Sequence, residues 1–196
     1  KKSKYEWIWI LGSDDTIYDK NIVKELNSEI SKIDNPKLLA VYGTVVFLST
    51  NSRYNEKYSY DDHFNKSLCQ QSIIYRKKAL FQEGLFNLRY KTTADYEMNL
   101  KLIKSDLNSF KYINKILVFY NDKGSSFYIK DNNFYKDSLF IRLNNIGRCV
   151  KKSNLIKSFF GRHGMILYAL SHRPKLSIKI LKKFLILILE NRTAKK

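Results

Sequence analysis

Tyr5-Glu6-Trp7-Ile8-Trp9-Ile10-Leu11-Gly12-Ser13-Asp14-Asp15 is the stretch whose reading decides the fold. Its β-branched and aromatic run reads as a buried strand. The run ends on a glycine and then on two adjacent carboxylates. In an α/β protein, charges at the carboxyl end of a strand lie where such folds place ligands. A carboxylate pair there can hold a divalent cation, because hard cations prefer oxygen ligands. Asp14 or Asp15 can equally cap the next helix, a common job for aspartate. These residues alone leave both readings open.

Working outward, Ile22, Val23, Leu26, Ile30 and Ile33 fall at helical spacing, with Asp19 as N-cap and Asn35-Pro36 as stop. Lys37 to Thr50 is strand-like and contains Gly43. A glycine inside a strand marks a bulge or a close approach by backbone or ligand, so Gly43 is a candidate substrate contact. Asn51 to Ser67 lacks a period and reads as an irregular, function-bearing loop. Cys69 to Tyr75 reads as a strand, Arg76 to Gln82 as a short helix, Thr92 to Leu107 as a helix, and Phe110 to Tyr120 as a strand. Asn121 to Ser126 reads as a turn. Strands alternating with helices indicate an α/β architecture. Three further segments read as helical: Phe134 to Ile146, Asn154 to Ser171, and Lys175 to Glu190, with Pro174 at a helix start. The expected organisation is an α/β unit over residues 1–128, followed by a helical, strongly basic extension over 129–196.

The chain has 196 residues and a globular composition. Its two cysteines, Cys69 and Cys149, are far apart, which excludes a disulfide scaffold or a cysteine zinc site and fits a reducing compartment. The chain starts at Lys1, without a signal-peptide pattern, and enters a core strand within a few residues, so it reads as the back part of a longer protein. The net charge of +18 is local. Residues 1–50 carry seven basic and seven acidic side chains, whereas residues 147–196 carry thirteen basic and one acidic, Glu190. Lys175, Lys179, Lys182 and Lys183 share one side of a cationic amphipathic helix, which reads as interfacial and membrane-contacting. The bland alternative is a helix packed on the domain with a solvated lysine face. The basic helices lack the aromatic interleaving of a nucleic-acid stacking platform, which argues against nucleic acid as partner.

Asp95, at the start of a helix, serves either as a cap or as a general base. Gln70 and Gln71 point to opposite faces if they lie in a strand, and one amide there can bind a sugar or phosphate. His63, His163 and His172 form no ligand pattern. There is no glycine-rich phosphate loop and no serine nucleophile elbow.

Taken in order, WIWILGSDDTIYDKNIV, VYGTVVF, CQQSIIYRKKALFQEGLFNLRYKTTADYEMNLKLI and INKILVFYNDKGSS resemble the family 2 glycosyltransferases of the GT-A fold, particularly those of bacterial surface-polysaccharide synthesis. The resemblance covers about Tyr5 to Ser126. It implies a partial GT-A mixed sheet with flanking helices. It implies an inverting displacement at the anomeric carbon of a nucleotide-sugar donor, with a glycan or polyprenyl-linked acceptor. It implies a divalent metal, Mg2+ or Mn2+, at Asp14 with Asp15 beside it, Asp95 as general base, and Gln71 in substrate binding. Two positions depart from the pattern: the first carboxylate of the metal motif falls at Gly12, and Gln70 stands where histidine is frequent. The family's N-terminal nucleotide-binding βαβ portion has no counterpart before Tyr5, so this chain alone is expected to be incomplete and inactive on a nucleotide sugar. The resemblance places the protein in the cytoplasm, peripheral on the inner face of the membrane. Two other classes compete: a non-catalytic basic module for membrane surfaces or nucleic acid, and a metal-dependent phosphoryl-transfer or hydrolytic enzyme using the same carboxylates.

Overall fold

A computed structural model describes residues 4–104, 106–124, 128–160 and 174–193. A mixed sheet of six strands runs in the order β1 (Trp7–Trp9), β5 (Ile73–Arg76), β3 (Ala40–Phe47), β6 (Phe110–Tyr120), β2 (Thr16–Ile17), and β4 (Arg53–Tyr54) pairs with β3 off this path. β3 and β6 are parallel, and the other pairings are antiparallel. Because β5 runs opposite to both of its neighbours, β1, β3 and β6 all point the same way.

β3 is covered on both sides, which is why its sequence, AVYGTVVF, is almost continuously apolar. Its alternation still sorts the two cores. Ala40 and Tyr42 face one cluster with Ile73, Tyr75 and Phe110. Val41 and Val45 face another with Ile74, Leu117 and Val118. The second cluster is closed by α1 (Ile22–Ser31), which buries Ile22 and Leu26. The Asp19 carboxylate accepts the Asn21 N–H at 2.6 Å ahead of this helix, so Asn21, not Asp19, occupies the cap position.

The first cluster is closed by α4 (Ala94–Ile103) and by α5 (Asn132–Ile146), α6 (Lys152–Phe160) and α7 (Pro174–Thr193). Met98 and Leu100 of α4 share it with Leu139 and Leu143 of α5 and with Ile180, Phe184 and Leu187 of α7. Packing therefore continues across the 128/129 boundary, and the basic helices share the core of the sheet. Phe159 of α6 stacks on Phe184 of α7 with ring centroids 4.0 Å apart. Burying such a side chain contributes about 1.5–3 kcal/mol. The expected helix from Asn154 to Ser171 is seen as far as Phe160, and its remainder lies outside the described residues.

Two expectations are corrected. The segment from Asn51 to Ser67 is not wholly irregular: it contains β4 and α2 (Tyr60–Asn65), which opens on a reciprocal capping box between Ser59 and Asp62. Cys69 to Tyr75 is not one strand, because Gln70–Ser72 forms a 3-10 turn ahead of β5. The remaining short helix, α3, covers Lys77–Gln82.

Candidate active site

Ile10, Phe47 and Tyr120, at the carboxyl ends of the three co-directional strands, line a cleft of about 570 Å3. This is the rim on which open α/β sheets bind ligands. The opposite wall consists of the 3-10 turn and the start of α4, and it brings Gln70, Gln71 and Asp95 into one cleft.

The 3-10 turn explains why both glutamines reach that cleft rather than opposite faces of a strand. Asn55 holds the turn from behind. Its backbone is left-handed (φ 69°), a conformation asparagine tolerates. Its Oδ1 accepts the Cys69 N–H at 3.1 Å, and its Nδ2 donates to Ser72 Oγ. From the other side, Trp9 Nε1 donates to the Gln71 carbonyl at 2.7 Å. Gln71 Oε1 accepts from the Cys69 thiol at 3.1 Å. Gln70 Oε1 accepts from the Tyr75 hydroxyl at 3.1 Å, while Gln70 Nε2 is buried without a hydrogen-bond partner among the described residues.

Asp95 sits in the first turn of α4, where the helix dipole favours a carboxylate. Burial pushes its carboxyl up to about 6, against the lowering effect of the Tyr96 and Asp95 backbone N–H groups. The lead-in to α4 is fixed from a distance by Asp131, whose Oδ2 accepts the Thr92 N–H and the Thr93 hydroxyl, each at 3.1 Å. Its Oδ1 accepts the Phe134 N–H at 3.1 Å and so caps α5. One turn beyond Asp95, Asn99 Oδ1 lies 2.7 Å from the Tyr75 hydroxyl, whose single hydrogen it shares with Gln70 Oε1, and this ties α4 to β5. The Cys69 thiol is no nucleophile: burial pushes it up to about 12, and the charges of Asp95 and Asp15 add to this.

Asp14 and Asp15 do not line the cleft. Asp15 is tied to backbone on both oxygens, accepting Gly12 N–H and Asn121 N–H at 3.1 Å each. Asp14 is exposed and accepts from Asn121 Nδ2 at 3.1 Å. Gly12 makes this fold-back possible, since a Cβ there would stand 2.7 Å from Asp15 Oδ2 and 2.9 Å from Asp14 Oδ1. No group of three or more metal-ligating side chains forms among the described residues. With Asp15 occupied by backbone, the donor set is one open carboxylate. That fits a cation such as Mg2+, which keeps water and substrate phosphate ligands and takes only one or two protein carboxylates.

Gly43 is corrected as a substrate contact. It is buried where β3 crosses β6, and a Cβ there would meet the Lys115 carbonyl and Leu117 Cγ at 2.7 Å. It serves strand packing at the register irregularity between Tyr42 and Thr44. Lys175, Lys179 and Lys182 lie exposed on α7, far from the cleft lining, and Lys183 is half-buried toward the packed side. Sequence reasoning missed Asn55, Tyr75, Asn99 and Asp131. Only Asp131 carried a local signal, an aspartate three residues before the apolar start of a helix.

The chain is similar to bacterial glycosyltransferases. It is 30% identical over 132 residues to the PGL/p-HBAD biosynthesis glycosyltransferase of Mycobacterium bovis (strain BCG / Pasteur 1173P2), covering 66% of this chain and 51% of that protein. The Mycobacterium tuberculosis (strain ATCC 25177 / H37Ra) protein of the same name matches equally. The chain spans about half the length of these curated relatives. Among solved structures, S. aureus TarS 1-349 in complex with UDP superposes with a TM-score of 0.60 at 16% identity, covering 96% of this chain and 58% of that one. The expected GT-A-like α/β fold is therefore the one observed. No family profile matches the chain.

Proposed function

We propose that this chain carries the acceptor and general-base part of a glycosyltransferase site, of the family 2 type, acting in bacterial surface-glycan synthesis. The observation that carries the reading is Asp95, a carboxyl pushed up to about 6 by burial at the strand-end rim of a GT-A-like sheet. A base tuned toward neutral pH accepts a proton more readily than an ordinary aspartate. Asp95 takes the proton of an acceptor hydroxyl as that oxygen attacks the anomeric carbon of a nucleotide sugar. The new glycosidic C–O bond forms as the bond to the diphosphate breaks, the nucleoside diphosphate leaves with the electron pair, and configuration inverts. Gln70 and Gln71 line the cleft with Asp95 and orient the reacting sugars through amide hydrogen bonds. When bound, a Mg2+ or Mn2+ ion at Asp14 neutralises charge on the departing diphosphate. The UDP held by TarS supports a nucleotide-sugar donor.

The acceptor is a glycan or a polyprenyl-linked sugar, and the protein works peripherally on the inner face of the membrane. The basic α7 and the absence, among the described residues, of a helix long and apolar enough to cross a membrane support that placement.

The test is Asp95→Asn in the protein that carries this chain, read as nucleoside diphosphate released with acceptor present. We expect loss by a factor of about 10²–10⁴ with the melting transition retained. Unchanged release overturns Asp95 as the base.

A further inference from the structure

α7 has a two-sided apolar pattern that its packing does not use up. Ile180, Phe184 and Leu187 point inward, and Gly147 lets the helix approach closely, since a Cβ there would stand 2.6 Å from Leu187 Cδ1. On the outward side Ile178, Leu181, Leu185 and Leu189 follow at steps of three, four and four, which makes one ridge. These four side chains are 52%, 45%, 49% and 58% exposed. A packed surface helix presents polar residues there. Next to the ridge, Lys175, Lys179 and Lys182 form a parallel exposed row. Glu190, the one carboxylate of the helix, is held by Arg148 at 3.2 Å. Phe160 of α6, also exposed, has its ring centroid 6.3 Å from that of Phe184 and adds apolar surface beside the helix.

We propose that α7 docks lengthwise on an anionic lipid surface, with Ile178, Leu181, Leu185 and Leu189 inserted among the acyl chains and Lys175, Lys179 and Lys182 at the headgroups. The proposal rests on the peripheral-membrane reading above and names its contact surface. Charge complementarity selects this occupant. A lysine row beside an apolar row matches the layering of anionic headgroups over acyl chains. A second copy meeting the same face around a two-fold axis sets lysine row against lysine row. A nucleic acid satisfies the lysines and leaves four apolar side chains in water.

Co-sedimentation with phosphatidylcholine vesicles, with and without phosphatidylglycerol, tests it. Wild-type protein is expected to pellet with the anionic vesicles. Leu181→Ser/Leu185→Ser is expected to weaken partitioning by about tenfold or more, even at low salt, because the apolar insertion is lost. Lys175→Gln/Lys179→Gln/Lys182→Gln is expected to weaken it and to flatten its salt dependence. All five substituted positions are exposed, so thermal melts are expected to match wild type. Leu185→Trp adds a direct readout: its emission shifts to the blue on anionic vesicles. If the serine variant pellets like wild type while the glutamine variant does not, the contact is electrostatic only. The insertion is then overturned while peripheral association stands. If wild type ignores both vesicle types, both fall. A concentration-dependent dimer abolished by the serine changes overturns the proposal in favour of a second copy. Oligonucleotide binding that survives the serine changes but not the glutamine changes, without vesicle binding, overturns it in favour of nucleic acid. Sugar transfer to a water-soluble acceptor is unaffected in every arm, which separates this proposal from the catalytic one.

Discussion

The protein treats Asp95 and the adjacent pair Asp14 and Asp15 oppositely: Asp95 lines the cleft and the pair does not. Asp95 is half-buried in the cleft wall, and burial lifts its carboxyl to about 6. Asp14 and Asp15 lie at the outer edge of the rim, where Asp15 is bound by two backbone N–H groups and Asp14 stays open to solvent. A dehydrated carboxylate favours picking up a proton, whereas an open one can offer its oxygens to a hard cation. The proposed base and the proposed cation ligand thus differ in environment and not in residue type.

The largest expected effect comes from breaking the Asp95 side. A buried carboxyl raised from about 4 to about 6 binds protons more tightly in the folded than in the unfolded state. Folding stability therefore falls as pH rises from about 4 through about 6, by up to about 3 kcal/mol, and stays lower above that. Asp95→Asn removes the charge, so the variant that loses activity is expected to gain stability at pH 8 and to gain little at pH 4. Denaturant melts at the two pH values check this, and a variant equally or less stable at both defeats the account of Asp95. For the intact enzyme, turnover is expected to rise with pH through about 6 as the base loses its proton.

Asp131→Ala is expected to come next. It removes the α5 cap together with two bonds to the segment that launches α4. Burial pushes the Asp131 carboxyl up, but its bonds from Phe134, Thr92 and Thr93 outweigh this and hold it below the ordinary value. Losing a cap costs about 1 kcal/mol and each further bond a similar amount, so about 2–3 kcal/mol of stability is at stake. If Asp131 also positions Asp95, a rise in transfer activity through pH 6 moves in the variant. An unmoved profile with a lowered melting point assigns Asp131 to stability alone.

Much of this contrast was legible in the sequence at the level of elements and not at the level of contacts. β6, rich in aromatic and β-branched residues, and α5, free of Gly and Pro, were legible as elements although their buried residues follow no simple period. The strand-to-carboxylate reading of Trp7 to Asp15 located the rim. What failed was geometry set by distant partners. Gln70 and Gln71 face one cleft because Asn55 and Trp9, both remote in sequence, pin a 3-10 turn where β propensity predicted a strand. Gly43 looked like a ligand contact because its true neighbour, the Lys115 carbonyl on β6, is invisible from β3. The sequence read α7 as cationic and amphipathic, but apolar residues at helical spacing do not announce which side of a helix is covered, so the exposure of Leu185 and its companions shows only in the fold.

The outer aspartates give smaller and separable effects. Asp14→Asn is expected to leave folding unchanged and to raise the divalent-metal concentration needed for half-maximal transfer. Asp15→Asn is expected to do the reverse, costing about 1 kcal/mol by weakening two charge-assisted bonds to backbone with little change in metal requirement. Metal titrations of activity, run beside thermal melts, distinguish them. If the two variants behave alike, the division of labour between neighbours is absent.

Gly12→Ala is the smallest and most discriminating change. Its new methyl meets two carboxylate ends, Asp15 Oδ2 at 2.7 Å and Asp14 Oδ1 at 2.9 Å. These are tips of mobile side chains, so the clash is relieved by rotating them rather than by moving backbone. The expected cost is under about 1 kcal/mol, because the Gly12 to Asp15 turn keeps its backbone bond while its side-chain bond loosens. Relief frees a second carboxylate toward solvent beside Asp14, and two open oxygen ligands hold a hard cation better than one. Gly12→Ala is therefore expected to tighten Mn2+ binding, measured by calorimetry or by paramagnetic broadening, while barely moving the melting point. Weaker binding instead means that the fold-back of Asp15 onto Gly12 is what aims Asp14 at the ion, and the glycine then belongs to the metal site itself.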